Sequence, residues 1–113
     1  MATTLDVMKM MDIMLCRLDE LPVGLGRAFK IKDRVIAVFR TRQGGIHAMD
    51  NHCPHKGGPL SEGMIAAGAV ICPLHGFHFD LKTGACDQEG QCSVATYPCR
   101  VENQMVILEM SVE

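Results

Sequence analysis

Four residues with soft or borderline donor atoms stand in two short groups, Cys53-Pro54-His55 and Cys72-Pro73-Leu74-His75, with sixteen residues between His55 and Cys72. Each group offers one thiolate and one imidazole. Two sulfurs and two nitrogens suit a [2Fe–2S] cluster with Cys₂ on one iron and His₂ on the other, or a single tetrahedral zinc. Zinc fingers place both cysteines ahead of both histidines, whereas here each group carries one of each. If sulfur binds one iron and nitrogen the other, each loop bridges the two metals.

The mixed donor set has a redox consequence. Two thiolates and two neutral imidazoles leave an oxidised [2Fe–2S] centre uncharged, whereas four thiolates make it an anion that resists a further electron. Histidine ligation therefore raises the potential, to roughly −150 to +300 mV against about −400 mV for all-cysteine ferredoxins. With the cluster rather than zinc, the expected chemistry is one-electron transfer, with no substrate-transforming catalytic residues on this chain. No G-x-G-x-x-G or Walker sequence provides a nucleotide or flavin site.

The elements that position these groups read as β-structure. At 113 residues, 48% apolar and 21% charged, the chain has the size and composition of one globular domain. With 4% aromatic residues and no tryptophan, the core must rest on aliphatic side chains and methionines. A formal net charge of −2 gives no reason to expect nucleic acid or an anionic membrane as partner. No run of about 18 apolar residues spans a bilayer. Residues 1–15 show no export signal, which makes the cytoplasm the default location. There, six cysteines point to metal binding or thiols rather than a disulfide framework.

Residues 1–11 read as a poorly ordered lead-in, and 12–113 as a single domain whose metal-binding part covers about 51–80. Strand texture is expected over Asp12–Leu18, Gly26–Ile31 and Arg34–Arg40, the last an apolar, β-branched run bounded by charges. The turn Arg42-Gln43-Gly44-Gly45 leads into the alternating Ile46-His47-Ala48-Met49. From Asn51 to Gly63, Gly and Pro punctuate a loop. Ala69-Val70-Ile71 delivers Cys72, and Gly76 to Asp80 leaves in strand-like alternation. Two closing strands lie around Val94–Val101 and Met105–Glu109. Many short strands without a convincing helix predict an all-β fold, an antiparallel sandwich or small barrel carrying two inserted metal-binding loops.

The four candidate ligands in this pattern resemble those of a Rieske domain, and the resemblance implies Cys53, His55, Cys72 and His75 as ligands of one Rieske-type [2Fe–2S] cluster per chain. Respiratory Rieske proteins resemble C-x-H-x-x-C and C-x-C-H with a disulfide between the loops; here Gly58 and Leu74 occupy those positions. A sulfide-bonding serine of that class would fall where Phe77 stands. The expected centre is therefore a low-potential, ferredoxin-like one. The stretches Cys53-Pro54-His55-Lys56-Gly57-Gly58-Pro59-Leu60-Ser61-Glu62-Gly63 and Cys72 to Gly84, with Leu21-Pro22-Val23-Gly24 and Tyr97-Pro98, resemble the small subunit of assimilatory NAD(P)H-dependent nitrite reductases. That family implies a large flavin, iron–sulfur and sirohaem subunit as partner, on which nitrite becomes ammonia. The alternatives are the Rieske ferredoxin component of an aromatic-ring dioxygenase, and a zinc-binding or cluster-free scaffold subunit.

Several other residues invite a functional reading. His78 follows His75 by three, but alternation with Phe77 and Phe79 turns it to the surface. His52 reads as a solvated loop residue and His47 as an outward strand position. Cys86 and Cys92, without partner histidines, read as thiols rather than a second metal site. Cys16 and Cys99 read as small core residues. Lys56, beside His55, is either an ordinary solvated lysine or a charge that steers an acidic partner. Met8, Met10, Met11 and Met14 lack the histidines of a copper site.

Overall fold

The computed structural model of the protein describes residues 9–53, 58–74, 76–87 and 93–112. It contains ten strands: β1 (Lys9–Arg17), β2 (Gly26–Ile31), β3 (Arg34–Arg40), β4 (Ile46–Asp50), β5 (Met64–Ala66), β6 (Ala69–Ile71), β7 (His78–Asp80), β8 (Thr96–Tyr97), β9 (Cys99–Glu102) and β10 (Met105–Val112). Two single 3₁₀ turns, Leu18–Glu20 and Leu60–Glu62, are the helical pieces among the described residues. The strands form three antiparallel sheets, ordered β1-β10-β9, β2-β3-β4-β8 and β5-β6-β7. The expected all-β architecture is what the chain adopts.

Tight turns produce this pairing. Asn103 and Gln104 both take positive φ, 51° and 68°, between the paired ends Glu102 and Met105. Ala67 and Gly68 do the same, at 53° and 78°, between Ala66 and Ala69. Two residues at positive φ match the right-handed twist of the flanking strands, so both hairpins close in two residues.

The middle sheet is covered on both faces. Ile36, Ala37, Val38 and Phe39, consecutive in β3, are all 0% exposed. Successive side chains point to opposite faces, so Ile36 and Val38 join Ala48, Val106, Leu108 and Met110 in a core against the β1-β10-β9 sheet. Ala37 and Phe39 point the other way, into a second core with Met49, Leu60, Val70, Phe79 and Leu81 under the β5-β6-β7 sheet. Each large aliphatic or aromatic side chain so buried contributes roughly 1.5–3 kcal/mol. The first is the core of the base; the second, the upper core, also contains Cys53 and Cys72.

Three of the boundaries that differ from the sequence expectation have a plain cause. β1 begins at Lys9, so residues 9–11, read above as lead-in, belong to a strand paired with β10 through Met11 and Met110. Residues 1–8 lie outside the described residues. The expected strand over Val94–Val101 is two, β8 and β9, separated at Pro98, whose missing N–H cannot serve a ladder. β10 runs on from Glu109 to Val112, because β1 supplies partners along its whole length.

Candidate metal centre

Both cysteine-bearing segments are hairpin loops with the same closure. In the first, the Cys53 N–H donates to the Gly58 carbonyl at 2.8 Å, below a ladder bridge between His52 and Pro59. In the second, between β6 and β7, the Cys72 N–H donates to the Phe77 carbonyl, also at 2.8 Å. Each loop thus spans six residues, 53–58 and 72–77, and opens with its cysteine. In the second loop the Gly76 N–H returns to the Cys72 carbonyl at 2.9 Å, with Gly76 at φ +74°, where a side chain would be strained.

The loops meet at Gly58. A Cβ on that residue would stand 2.9 Å from Leu74 Cγ and 3.1 Å from Cys72 Sγ. The missing side chain is what allows the first loop's backbone to lie against the sulfur of the second.

Cys53 and Cys72 are 2% and 1% exposed within one apolar core. A thiolate there is costly unless a cation compensates it, and iron is such a cation. Two soft donors, opening matched loops that touch each other, therefore fit the sulfur half of a [2Fe–2S] site. Among the described residues no three His, Cys, Asp or Glu side chains converge into a metal site of another type. His55 and His75, the expected nitrogen donors, lie outside the described residues, as do Lys56 and Cys92.

Two supporting groups have roles that the sequence did not reveal. Asn51, buried, donates its N–H to the Val35 carbonyl at 2.9 Å and accepts the Leu60 N–H on its own carbonyl at 2.7 Å. Its side-chain Oδ1 accepts the Ser61 N–H at 2.8 Å. One residue thereby ties β3, the first loop and the Leu60–Glu62 turn together. Beside it, the Tyr97 hydroxyl donates to Asp50 Oδ1 at 2.6 Å, and Arg34 Nη1 donates to the Tyr97 oxygen at 3.3 Å. Burial and the Asp50 carboxylate push the Tyr97 phenol up to about 12. An asparagine or aspartate just before a ligand loop is the only local hint of either group.

The remaining candidates fall outside the site. His78 is exposed, with Nδ1 3.5 Å from Asp87 Oδ2, and Phe79 on the opposite face is fully buried. His52 is exposed, as expected. His47 is half-buried rather than outward, since β4 is covered on both sides; burial, then the Lys82 charge, lowers its pKa. Cys16 and Cys99 line the core of the base, and burial pushes the Cys99 thiol up to about 11. Cys86 packs against the upper core, in a ladder bridge with Phe79. Met11 and Met14 are exposed strand positions. No helix among the described residues is long and apolar enough to cross a membrane.

A model of the Rieske-like [2Fe-2S] domain matches residues 13–109. The ferredoxin component of naphthalene 1,2-dioxygenase/salicylate 5-hydroxylase systems from Ralstonia sp. is 34% identical over 98 residues, covering 82% of this chain and 89% of that protein. Apoptosis-inducing factor 3 of Mus musculus is 32% identical over 93 residues, which are 81% of this chain but 14% of that one. Among solved structures, a Mycobacterium tuberculosis protein assigned as the small subunit of an NADH-dependent nitrite reductase superposes with a TM-score of 0.82 at 26% identity, over 96% of this chain and 100% of that one.

Proposed function

The chain belongs to the Rieske-like [2Fe-2S] domain family and is a Rieske electron carrier, and from that membership we propose that Cys53, His55, Cys72 and His75 hold its cluster. The observation that carries the ligand set is the pair of buried cysteines, each opening a six-residue loop closed by the same backbone bond. Bound there, the cluster supplies one-electron oxidation and reduction. The chain's own residues position it: Asn51 fixes the neck of the first loop, Gly58 lets the loops touch, and the apolar core beneath Cys53 and Cys72 excludes water. Phe77 brings no hydroxyl to the sulfur side, which supports a potential near the lower end of roughly −150 to +300 mV.

The role within a larger system is that of the small, electron-carrying subunit of an NAD(P)H-dependent nitrite reductase, with nitrite reduction on a partner chain. The superposition of the M. tuberculosis subunit over its whole length supports this reading. The 34% identity to the Ralstonia ferredoxin component favours a second reading, a carrier for an aromatic-ring dioxygenase. Affinity capture of the chain from its own cells separates them, by recovery of a sirohaem protein or of an oxygenase. For the ligands, His75→Ala should abolish the visible absorption and the acid-labile sulfide of anaerobically purified protein, while His78→Ala keeps both. Retention of the cluster in His75→Ala would overturn the assignment, as would a wild-type midpoint above about +150 mV for the low-potential reading.

A further inference from the structure

Charge is unevenly spread along the chain. Six of the eleven Lys and Arg lie between residues 27 and 42, with one of the thirteen Asp and Glu, Asp33. Arg40 is committed to the fold, donating to the Leu18 and Leu21 carbonyls at 3.2 and 3.0 Å. Lys30, Lys32 and Arg34 are exposed at the tip of the β2–β3 hairpin. None of these three takes part in an ion pair among the described residues, whereas Arg17 and Arg100 are both paired with carboxylates.

The tip adjoins the first cysteine loop. The Val35 carbonyl accepts the Asn51 N–H, and Arg34 reaches the Tyr97 hydroxyl, itself bound to Asp50. A cleft of about 400 Å³, lined by Asp33, Arg34, Asp50, His52 and Tyr97, lies between the hairpin tip and the residues that lead into the loop. The backbone at the tip is also unusual. Lys32 is at φ 57°, first of the two residues between the paired ends Ile31 and Arg34. Glycine or asparagine suits that conformation better, because a longer side chain crowds its own backbone there. A lysine held where the backbone disfavours it points to a use for its charge.

We propose that this hairpin tip is the electrostatic half of the docking surface for an acidic redox partner. Lys30 and Lys32 engage partner carboxylates, which brings loops 53–58 and 72–77 against the partner; the inference rests on the electron-carrier reading above. The chain as a whole is negative, so its distant field does not favour such a partner. At physiological ionic strength, however, charges beyond about 8 Å are screened, and the local cations decide the encounter.

Poly-L-glutamate serves as the acidic probe, with binding followed by amide NMR shifts of the cluster-loaded protein. At about 20 mM salt the shifts should centre on residues 30–34, and at about 0.5 M salt binding should weaken at least tenfold. The Lys30→Glu/Lys32→Glu variant should lose about tenfold in affinity at low salt with an unchanged cluster spectrum. A second readout is the rate at which reduced protein passes one electron to ferricyanide, giving ferrocyanide, or to hexaamminecobalt(III), giving cobalt(II). Charge reversal should slow the first and speed the second. Lys32→Asn, which suits the turn, should raise thermal stability and still weaken polyglutamate binding. Shifts centred elsewhere, salt-independent binding, oxidant rates unmoved by charge reversal, or tighter binding to phosphatidylserine vesicles than to polyglutamate would each overturn the proposal. Absence of a cluster would strike the ligand reading instead, since the polyglutamate shifts do not require one.

Discussion

A methyl group at position 63 has nowhere to go. It would stand 2.1 Å from the Ile71 carbonyl oxygen and 3.1 Å from Val70 Cγ2. The obstacle is backbone, which cannot swing aside as a long side chain could. Gly63 also closes the Leu60–Glu62 turn, its N–H donating to the Leu60 carbonyl at 2.9 Å, and that turn is held by Asn51. Gly63→Ala is therefore expected to cost about 2–3 kcal/mol. The check is a fall in urea midpoint at constant slope, and the bound iron per chain should fall with it. The cysteines that open the loops were visible in the sequence because their chemistry is carried by residue type and spacing. Asn51 and Gly63 were not, because what makes them important is a neighbour contributed by another strand, which no local pattern announces.

At the scale of elements, β3 was readable because it is an apolar, β-branched run bounded by charges, and the observed bounds of β2 and β3 both coincide with the expected ones. β8, two residues long, was not separable from β9 by pattern, and its pairing with β4 through Ala48 and Tyr97 is purely tertiary. Burial of one residue on each of β8 and β9 sets a pH dependence. Tyr97, on β8, and Cys99, on β9, have folded-state pKa values of about 12 and about 11 against ordinary values of 10.0 and 9.0, mainly through burial. Each native group keeps its proton where the unfolded chain has released it, so the stability they contribute is whole below pH 9 and is lost as pH rises toward 12. His47 acts at the acid end. Its lowered pKa means that the unfolded chain binds a proton first, and stability falls as pH drops below 6.5. Urea midpoints against pH should form a plateau between these limits. Tyr97→Phe should make the alkaline fall above pH 10 shallower and leave the part between pH 9 and 10 in place.

Over the whole molecule, β3 divides two cores with different duties. Leu108 and Leu60 are both fully buried, the first between the base sheets and the second beneath the cysteine loops. Replacing either by alanine removes the same side chain and leaves a similar void, at about 3–5 kcal/mol. If stability alone governed the metal centre, the two variants would lose it together. The partition of the cores argues otherwise. Leu60 shares its core with Cys53 and Cys72, and its backbone N–H is held by Asn51 at the neck of the first loop. Leu108 reaches those sulfurs only through the thickness of the middle sheet, whose β3 residues are packed on both faces. Leu60→Ala should therefore yield folded protein with less than one cluster per chain and a shifted midpoint potential. Leu108→Ala, of similar urea stability, should keep full iron and sulfide and the wild-type potential in its folded fraction. Equal iron loss in the two variants would mean that the molecule responds as one packed body and that the upper core has no separate hold on the centre.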